Sequence, residues 1–186
     1  MRLFLAIDPS PDSRRWLGLV IDGLRAVSAA VRWSRPEQLH VTLQFLGSVP
    51  DARIPPLVDG LRDAVAPHAP FTATLAGAGV FPDWRRPRVA WVGVGDADAL
   101  HRLAADVRAT CAANGYPPDR PFRAHLTLGR VTRALPPAER LGLRASLDGL
   151  AATHPFEVSR VVLYRSDPSP AGSRYTEVAS FALGGA

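Results

Sequence analysis

The chain opens on RLFLAID (2–8), where Leu3, Leu5 and Ile7 alternate with Phe4 and Ala6, the period-two pattern of a half-buried strand. Pro11 and Asp12 then start a helix, which the spacing of Trp16, Leu19, Val20, Leu24 and Val27 carries to about Ala30. VRW (31–33) is short and extended, Pro36 interrupts, and LHVTLQFLG (39–47) reads as a strand. Pro55 and Pro56 stand where a second helix over about 55–66 begins. FTATLAGAGVF (71–81) and RVAWVGV (88–94) are strands joined by the loop PDWRRP. The second half repeats this order. Asp96 or Asp98 caps a helix that runs to about Asn114 and is ended by Gly115. FRAHLTLGRV (122–131) is a strand, 137–150 a weaker helix, and PFEVSRVVLYRS (155–166) and RYTEVASFAL (174–183) are strands. Helices alternate with strands while the later strands come in pairs, which predicts an α+β fold with helices packed outside the sheets. No linker divides the chain, so 1–186 reads as one domain made of two similar lobes.

One motif occurs in both halves: His40-Val41-Thr42-Leu43 and His125-Leu126-Thr127-Leu128. Side chains two apart on a strand share a face, so each His and its Thr point one way while Val41, Leu43, Leu126 and Leu128 point into a core. Two such strands side by side bring two imidazoles and two hydroxyls into one cleft. A neutral imidazole can take a proton from a nucleophile while a protonated partner gives one to a leaving group. Hydroxyls stabilise charge gathering on phosphate oxygens, and arginine adds forked contacts to them. Arg123 shares the strand parity of His125 and Thr127; Arg130 has the opposite parity unless a bulge near Gly129 turns it. His68, His101 and His154 have no companion motif and read as surface or helix-end histidines. No third paired ligand accompanies His40 and His125, so no metal is expected.

Composition narrows the chemistry further. All 22 basic residues are arginines, which removes lysine Schiff bases, a P-loop lysine and covalent lysyl-nucleotides. The single Cys111 excludes a disulfide framework and multi-cysteine metal sites. A net charge of +5 favours an anionic partner, although the arginines are dispersed along the sequence. The first apolar run is closed by Asp8 and Pro9 and is too short for a signal segment. No stretch approaches the ~20 apolar residues of a membrane span, so a cytoplasmic setting is expected.

The set MRLFLAID, LHVTLQFLG, RVAWVGV, FRAHLTLGRV, LYRS and RYTEVASFAL, in this order, resembles the two-histidine (2H) phosphoesterases. Within them it is similar to the bacterial and archaeal RNA 2′,3′-cyclic phosphodiesterases, often labelled 2′-5′ RNA ligases, over nearly the whole chain. The resemblance implies a bilobal α+β fold, with two pseudo-symmetric lobes whose antiparallel sheets face a central cleft. It implies metal-independent, cofactor-free hydrolysis of a terminal ribose 2′,3′-cyclic phosphate to a 2′-phosphate. His40 and His125 become the catalytic pair; His40 is read as the acid and His125 as the base, while the symmetry of the two motifs leaves the opposite assignment open. Thr42 and Thr127 become phosphate contacts, and the family's arginine falls on Arg130, placed ahead of Arg123. Ala124 and Gly129 depart from the proline and alanine common among relatives, and are expected to loosen the strand locally. Phe4, Trp84 and Tyr164 are candidates for lining the cleft or stacking on a base, and the loop 167–173 for bordering it. The implied partner is an RNA end bearing the cyclic phosphate, bound by a monomer. The competing readings are reversible, ATP-independent ligation at the same site and a non-catalytic RNA or nucleotide binder.

Overall fold

The computed structural model describes residues 1–95, 98–150, 153–169 and 172–185. Its strands are β1 (Arg2–Ile7), β2 (Val31–Trp33), β3 (Val41–Ser48), β4 (Phe71–Phe81), β5 (Val89–Gly95), β6 (His125–Val131), β7 (His154–Val158), β8 (Arg160–Asp167) and β9 (Arg174–Ala182). Its helices are α1 (Pro11–Val27), α2 (Ile54–Val65), α3 (Asp98–Ala113) and α4 (Pro137–Asp148). The α+β class holds. The strands form one antiparallel sheet in the order β7-β4-β5-β6-β3-β1-β8-β9, with β2 also on β6.

The sheet is uneven along its length. β1 pairs with β3 from Arg2 to Ile7, and β5 with β6 from Val89 to Gly93. Between β3 and β6 the ladder thins to Val41 opposite Leu126. β2 takes up the rest of that edge of β6, with Val31, Arg32 and Trp33 opposite Val131, Arg130 and Gly129. Two half-sheets therefore meet at the two His-x-Thr motifs.

The single strand expected over 155–166 is two strands. β7 pairs with β4, whereas β8 pairs with β1 and β9, so the chain passes from one half-sheet to the other at Ser159. The cause lies in the pattern: Phe156 and Val158 alternate inward, but Val161, Val162 and Leu163 are buried in succession. A run with both faces buried suits an inner strand, so β8 sits between β1 and β9.

One face of the sheet carries the core, including Leu5, Val41, Leu43, Ala90, Val92, Leu126, Leu128 and Leu163, all buried beneath the helices. Burying one such leucine stabilises the fold by roughly 1.5–3 kcal/mol relative to leaving it exposed. α1 buries Leu17, Ile21 and Leu24, spaced i, i+4, i+7. Leu19, expected on that stripe, is 74% exposed, and Trp16, Val20 and Val27 only border the core. Ser10 caps α1 by accepting from the Ser13 amide at 3.1 Å, with Pro11 in the first turn. The helix ends at Val27 rather than near Ala30, because Ser28 turns to an extended conformation. Its hydroxyl donates to Glu139 of α4 at 2.6 Å. That hydrogen bond, seconded by Arg133 at 3.2 Å, holds the Glu139 carboxyl below its ordinary range. Gly115, at φ +90, closes α3 while the Tyr116 amide bonds back to the Cys111 carbonyl at 2.8 Å. Asp98 is the first residue of α3 rather than its cap, and Asp96 lies outside the described residues. Burial pushes the Cys111 thiol up to about 12, which leaves it unreactive.

Candidate active site

Continuing the Val41–Leu126 register by one residue in each direction sets His40 beside Thr127 and Thr42 beside His125. Each motif thus places its imidazole next to the other motif's hydroxyl. All four side chains line a cleft of about 760 Å³ on the face opposite the helices. His40 itself precedes β3, whose regular pairing starts at Val41.

The two rings are held in the same way. Nδ1 of His40 lies 2.7 Å from the Gln38 carbonyl, and Nδ1 of His125 lies 2.7 Å from the Arg123 carbonyl. A carbonyl only accepts, so each Nδ1 donates its hydrogen two residues back along the chain. Nε2 of each ring is left to exchange protons in the cleft. An aromatic ring also stands edge-on to each imidazole: Tyr175 to His40 at 5.2 Å and Phe81 to His125 at 4.9 Å. The internal similarity of the sequence therefore extends to the supports of the two rings.

Their electrostatic surroundings differ. Burial pushes both imidazoles below the ordinary histidine value. Around His40, the Gln38 carbonyl and the negative charge of Asp8 oppose that shift, while Arg14 and the charge of His125 reinforce it. Around His125, the Arg123 carbonyl opposes it, and the guanidinium groups of Arg123 and Arg130 reinforce it. Asp8 is fixed by the Tyr164 hydroxyl, which donates to it at 2.7 Å, and by Arg14 at 3.3 Å and Arg160 at 3.6 Å.

Both candidate arginines line the cleft. Along the β5–β6 ladder, Trp91 faces Thr127 but Ala90 faces Gly129, so Leu128 is an extra residue. This bulge buries Leu128 and Gly129 in succession and reverses the parity beyond them. Arg130, opposite Val89, thereby joins the face of His125 and Thr127. Arg123 keeps that face by simple alternation, and its guanidinium rests 5.6 Å from the Phe81 ring centroid. Gly129 does not loosen the strand. A Cβ there would stand 2.7 Å from Val31 Cγ1 and 2.9 Å from Trp33 Cε3, so its absence lets β2 close on β6.

The aromatic candidates separate. Phe4 lines the cleft but is 2% exposed, because it lies beneath His40 at 4.9 Å, against Tyr164 at 5.4 Å and Tyr175 at 5.0 Å. Tyr164 is turned toward Asp8, and Trp84 packs against the core; neither is among the described residues lining the cleft. Phe45 and Tyr175, which the sequence reading passed over, do line it, and Phe45 is 56% exposed at its rim. Phe45 owes its position to irregular pairing between β1 and β3, which also buries Gln44. Ser166 and Ser173 bring the ends of the 167–173 loop to the cleft, and the Gln38 amide donates to the Ser173 carbonyl. Pro170 and Ala171 lie outside the described residues. The other histidines sit elsewhere: His68 bonds Asp106 at 2.9 Å, His154 stacks on Trp16, and His101 stands edge-on to Phe122.

Among the described residues no helix is long and apolar enough to cross a membrane. A family model described as the 2'-5' RNA ligase superfamily matches residues 9–170. The chain is 33% identical over 183 residues to the RNA 2',3'-cyclic phosphodiesterase of Methanothermobacter thermautotrophicus, covering 98% of this chain and 99% of that one. A crystal structure of a Thermus thermophilus protein matches with a TM-score of 0.83 and 29% identity, covering 100% of this chain and 99% of that one. The crystal structure of E. coli LigT complexed with 3'-AMP matches with a TM-score of 0.74 and 29% identity, covering 98% and 97%.

Proposed function

The chain belongs to the 2'-5' RNA ligase superfamily, and on that premise we propose that it is an RNA 2',3'-cyclic phosphodiesterase like its archaeal relative of that name. The observation that carries the proposal is the matched support of His40 and His125 on either side of the Val41–Leu126 pair. Two imidazoles with Nδ1 pinned and Nε2 turned to one cleft suit a reaction that takes one proton and gives another.

Water attacks phosphorus in line with O3′. Nε2 of neutral His125 takes the proton of the attacking water as the new P–O bond forms. The P–O3′ bond breaks as Nε2 of protonated His40 gives its proton to O3′, leaving a 2′-phosphate and a free 3′-hydroxyl. Burial disfavours the proton on both rings, but the charges around them differ in the sense of this assignment. The carboxylate of Asp8 favours the proton on His40 against Arg14, whereas the charges of Arg123 and Arg130 both favour the neutral form of His125. Thr42, Thr127 and Arg130, with Arg123 beside it, donate to the non-bridging oxygens. Loss of one such donor costs about 3 kcal/mol of transition-state stabilisation. These steps use neither metal nor cofactor. With the 5′-hydroxyl of a second RNA in place of water, the same course forms P–O5′, breaks P–O3′ and makes a 2′-5′ linkage at the same site. We read 1–186 as one domain acting as a cytoplasmic monomer, since both halves of the cleft come from one chain.

The test is product analysis on an oligonucleotide ending in a 2′,3′-cyclic phosphate, with a chelator present. The expected product carries a 2′-phosphate. A 3′-phosphate product, loss of turnover in chelator, or binding without turnover would each overturn the proposal.

A further inference from the structure

Arginines dispersed along the sequence gather beyond one end of the cleft. Arg85, Arg86 and Arg88 from the loop between β4 and β5, with Arg133 and Arg140 from beyond β6, line a second cavity of about 360 Å³. All five are exposed. Two acidic groups lie nearby. Asp83 accepts from the backbone amides of Arg85 and Arg86 at 2.7 and 3.1 Å, which fixes the loop while their guanidinium groups stay outside. Glu139 pairs with Arg133 and takes the Ser28 hydroxyl. Positive charge remains in excess. Trp84, half-buried, packs the loop against the core, and the Arg88 amide donates to the Phe81 carbonyl at 2.7 Å.

This basin abuts the cleft. Val89 and Arg130, partners in the β5–β6 ladder, line the cleft. The adjoining residue on each strand, Arg88 and Val131, lines the basin, and the Val131 amide donates to the Arg88 carbonyl at 2.9 Å. A strand rises about 3.3 Å per residue, so a chain leaving the cleft at Arg130 meets the basin within one or two residues of strand.

We propose that the basin holds the phosphodiester backbone of the RNA strand on the 5′ side of the terminus bound in the cleft. Guanidinium forks match phosphate oxygens and read no base, so the basin selects for a strand of any sequence over a lone nucleotide. The proposal rests on the reading of the cleft given above and specifies its substrate: an oligonucleotide end rather than a nucleoside 2′,3′-cyclic phosphate.

The triple variant Arg85→Gln, Arg86→Gln, Arg88→Gln tests it, with an unchanged melting temperature as the check on folding. On a nucleoside 2′,3′-cyclic phosphate its kcat/KM stays within about twofold of the parent. On a cyclic-phosphate-ended octanucleotide at low salt kcat/KM falls by at least about tenfold. The slope of log kcat/KM against log salt becomes shallower by about 2, given ~0.7 per phosphate contact on a single strand. Equal losses on both substrates, or no loss on either, overturn the basin. If the parent hydrolyses neither substrate, the reading of the cleft fails by itself. Anisotropy binding of the octanucleotide then decides the basin: weaker binding by the variant supports it, and equal binding overturns it.

Discussion

Val41 and Leu126 face each other as the ladder pair through which β3 meets β6, and each is the second residue of its own His-x-Thr motif. Both are fully buried on the helix side of the sheet. The contact that joins the two half-sheets is thus also the contact that sets the spacing of the two imidazoles. In the proposed mechanism, stability and catalysis therefore depend on the same pair.

Leu126→Ala deletes a buried side chain at this seam and is expected to cost about 2–5 kcal/mol of stability. Because the cavity opens between the motifs, kcat falls as well, even at temperatures where the variant is fully folded. Denaturant titration and steady-state rates at low temperature check both. A stability loss with unchanged kcat would show that the seam does not position the rings.

His40→Ala and His125→Ala each lower kcat on a cyclic-phosphate dinucleotide by more than about 10²-fold, the lower bound for lost general acid–base work. The double variant is little worse than either single one, since the two rings act as a unit. Both rings are partly exposed to the cleft, so melting temperatures change little. A His40→Ala protein with ordinary turnover would dispose of the mechanism.

Burial holds both imidazoles below the ordinary histidine value of about 6.5, and the reaction needs one protonated and one neutral. The competent form of the free enzyme therefore peaks below about pH 6.5, and kcat/KM falls on the alkaline side of that maximum. A bound phosphate favours the protonated rings, so kcat peaks at higher pH than kcat/KM. Asp8→Asn removes the negative charge that favours protonated His40 and moves the alkaline limb to still lower pH. A kcat/KM maximum above about pH 7.5, unmoved by Asp8→Asn, contradicts the assignment. Stability follows the same shifts. The unfolded chain binds protons on these histidines first, so stability is lost as pH falls from about 6.5 through the folded-state values. Glu139, also lowered, adds to the loss at more acidic pH.

Gly129→Ala puts a Cβ within 2.7 Å of Val31 Cγ1 and 2.9 Å of Trp33 Cε3. Overpacking of this kind costs about 1–3 kcal/mol. It also disturbs the bulge that turns Arg130 to the cleft, so KM for the cyclic substrate rises. Adding Val31→Ala makes room and restores part of both losses. Calorimetry and kinetics on the single and double variants check this, and a Gly129→Ala protein as stable as its parent would refute the tight packing of β2 on β6.

What the sequence made legible followed from side-chain pattern. The strand over 2–8, the alternation in 88–94, the helix stop at Gly115 and the twin His-x-Thr motifs reappear in the structure. β1, however, is buried on both faces from Leu3 to Ile7 rather than half-buried, because Phe4 on the cleft side is covered by the rings of His40, Tyr164 and Tyr175. Features carried by the backbone left no such trace. The acceptors that orient both imidazoles are carbonyls of Gln38 and Arg123, which any residue supplies. The bulge at Leu128 decides the direction of Arg130, yet an aliphatic run reads the same with or without it. Phe45 was missed for a like reason, since irregular pairing with β1 sets its face. The break at Ser159 did leave a signal, in the lost alternation of Val161, Val162 and Leu163. Trp84 drew attention through its arginine neighbours, but the indole packs against the core and the guanidinium groups face outward. The arginine basin was half legible: Arg85, Arg86 and Arg88 share one loop of the sequence, but Arg133 and Arg140 join them only in space.

In the proposed mechanism the Nε2 atoms of His40 and His125 address one anion. Imidazole nitrogen chemical shifts, followed by NMR as a 2′-nucleotide is added, test it directly. The predicted result is that both histidines respond together at one equivalent of ligand and both take up protons more readily in the complex, with Nδ1 of each ring unchanged. A response from one ring alone, or two responses with separate affinities, would contradict it.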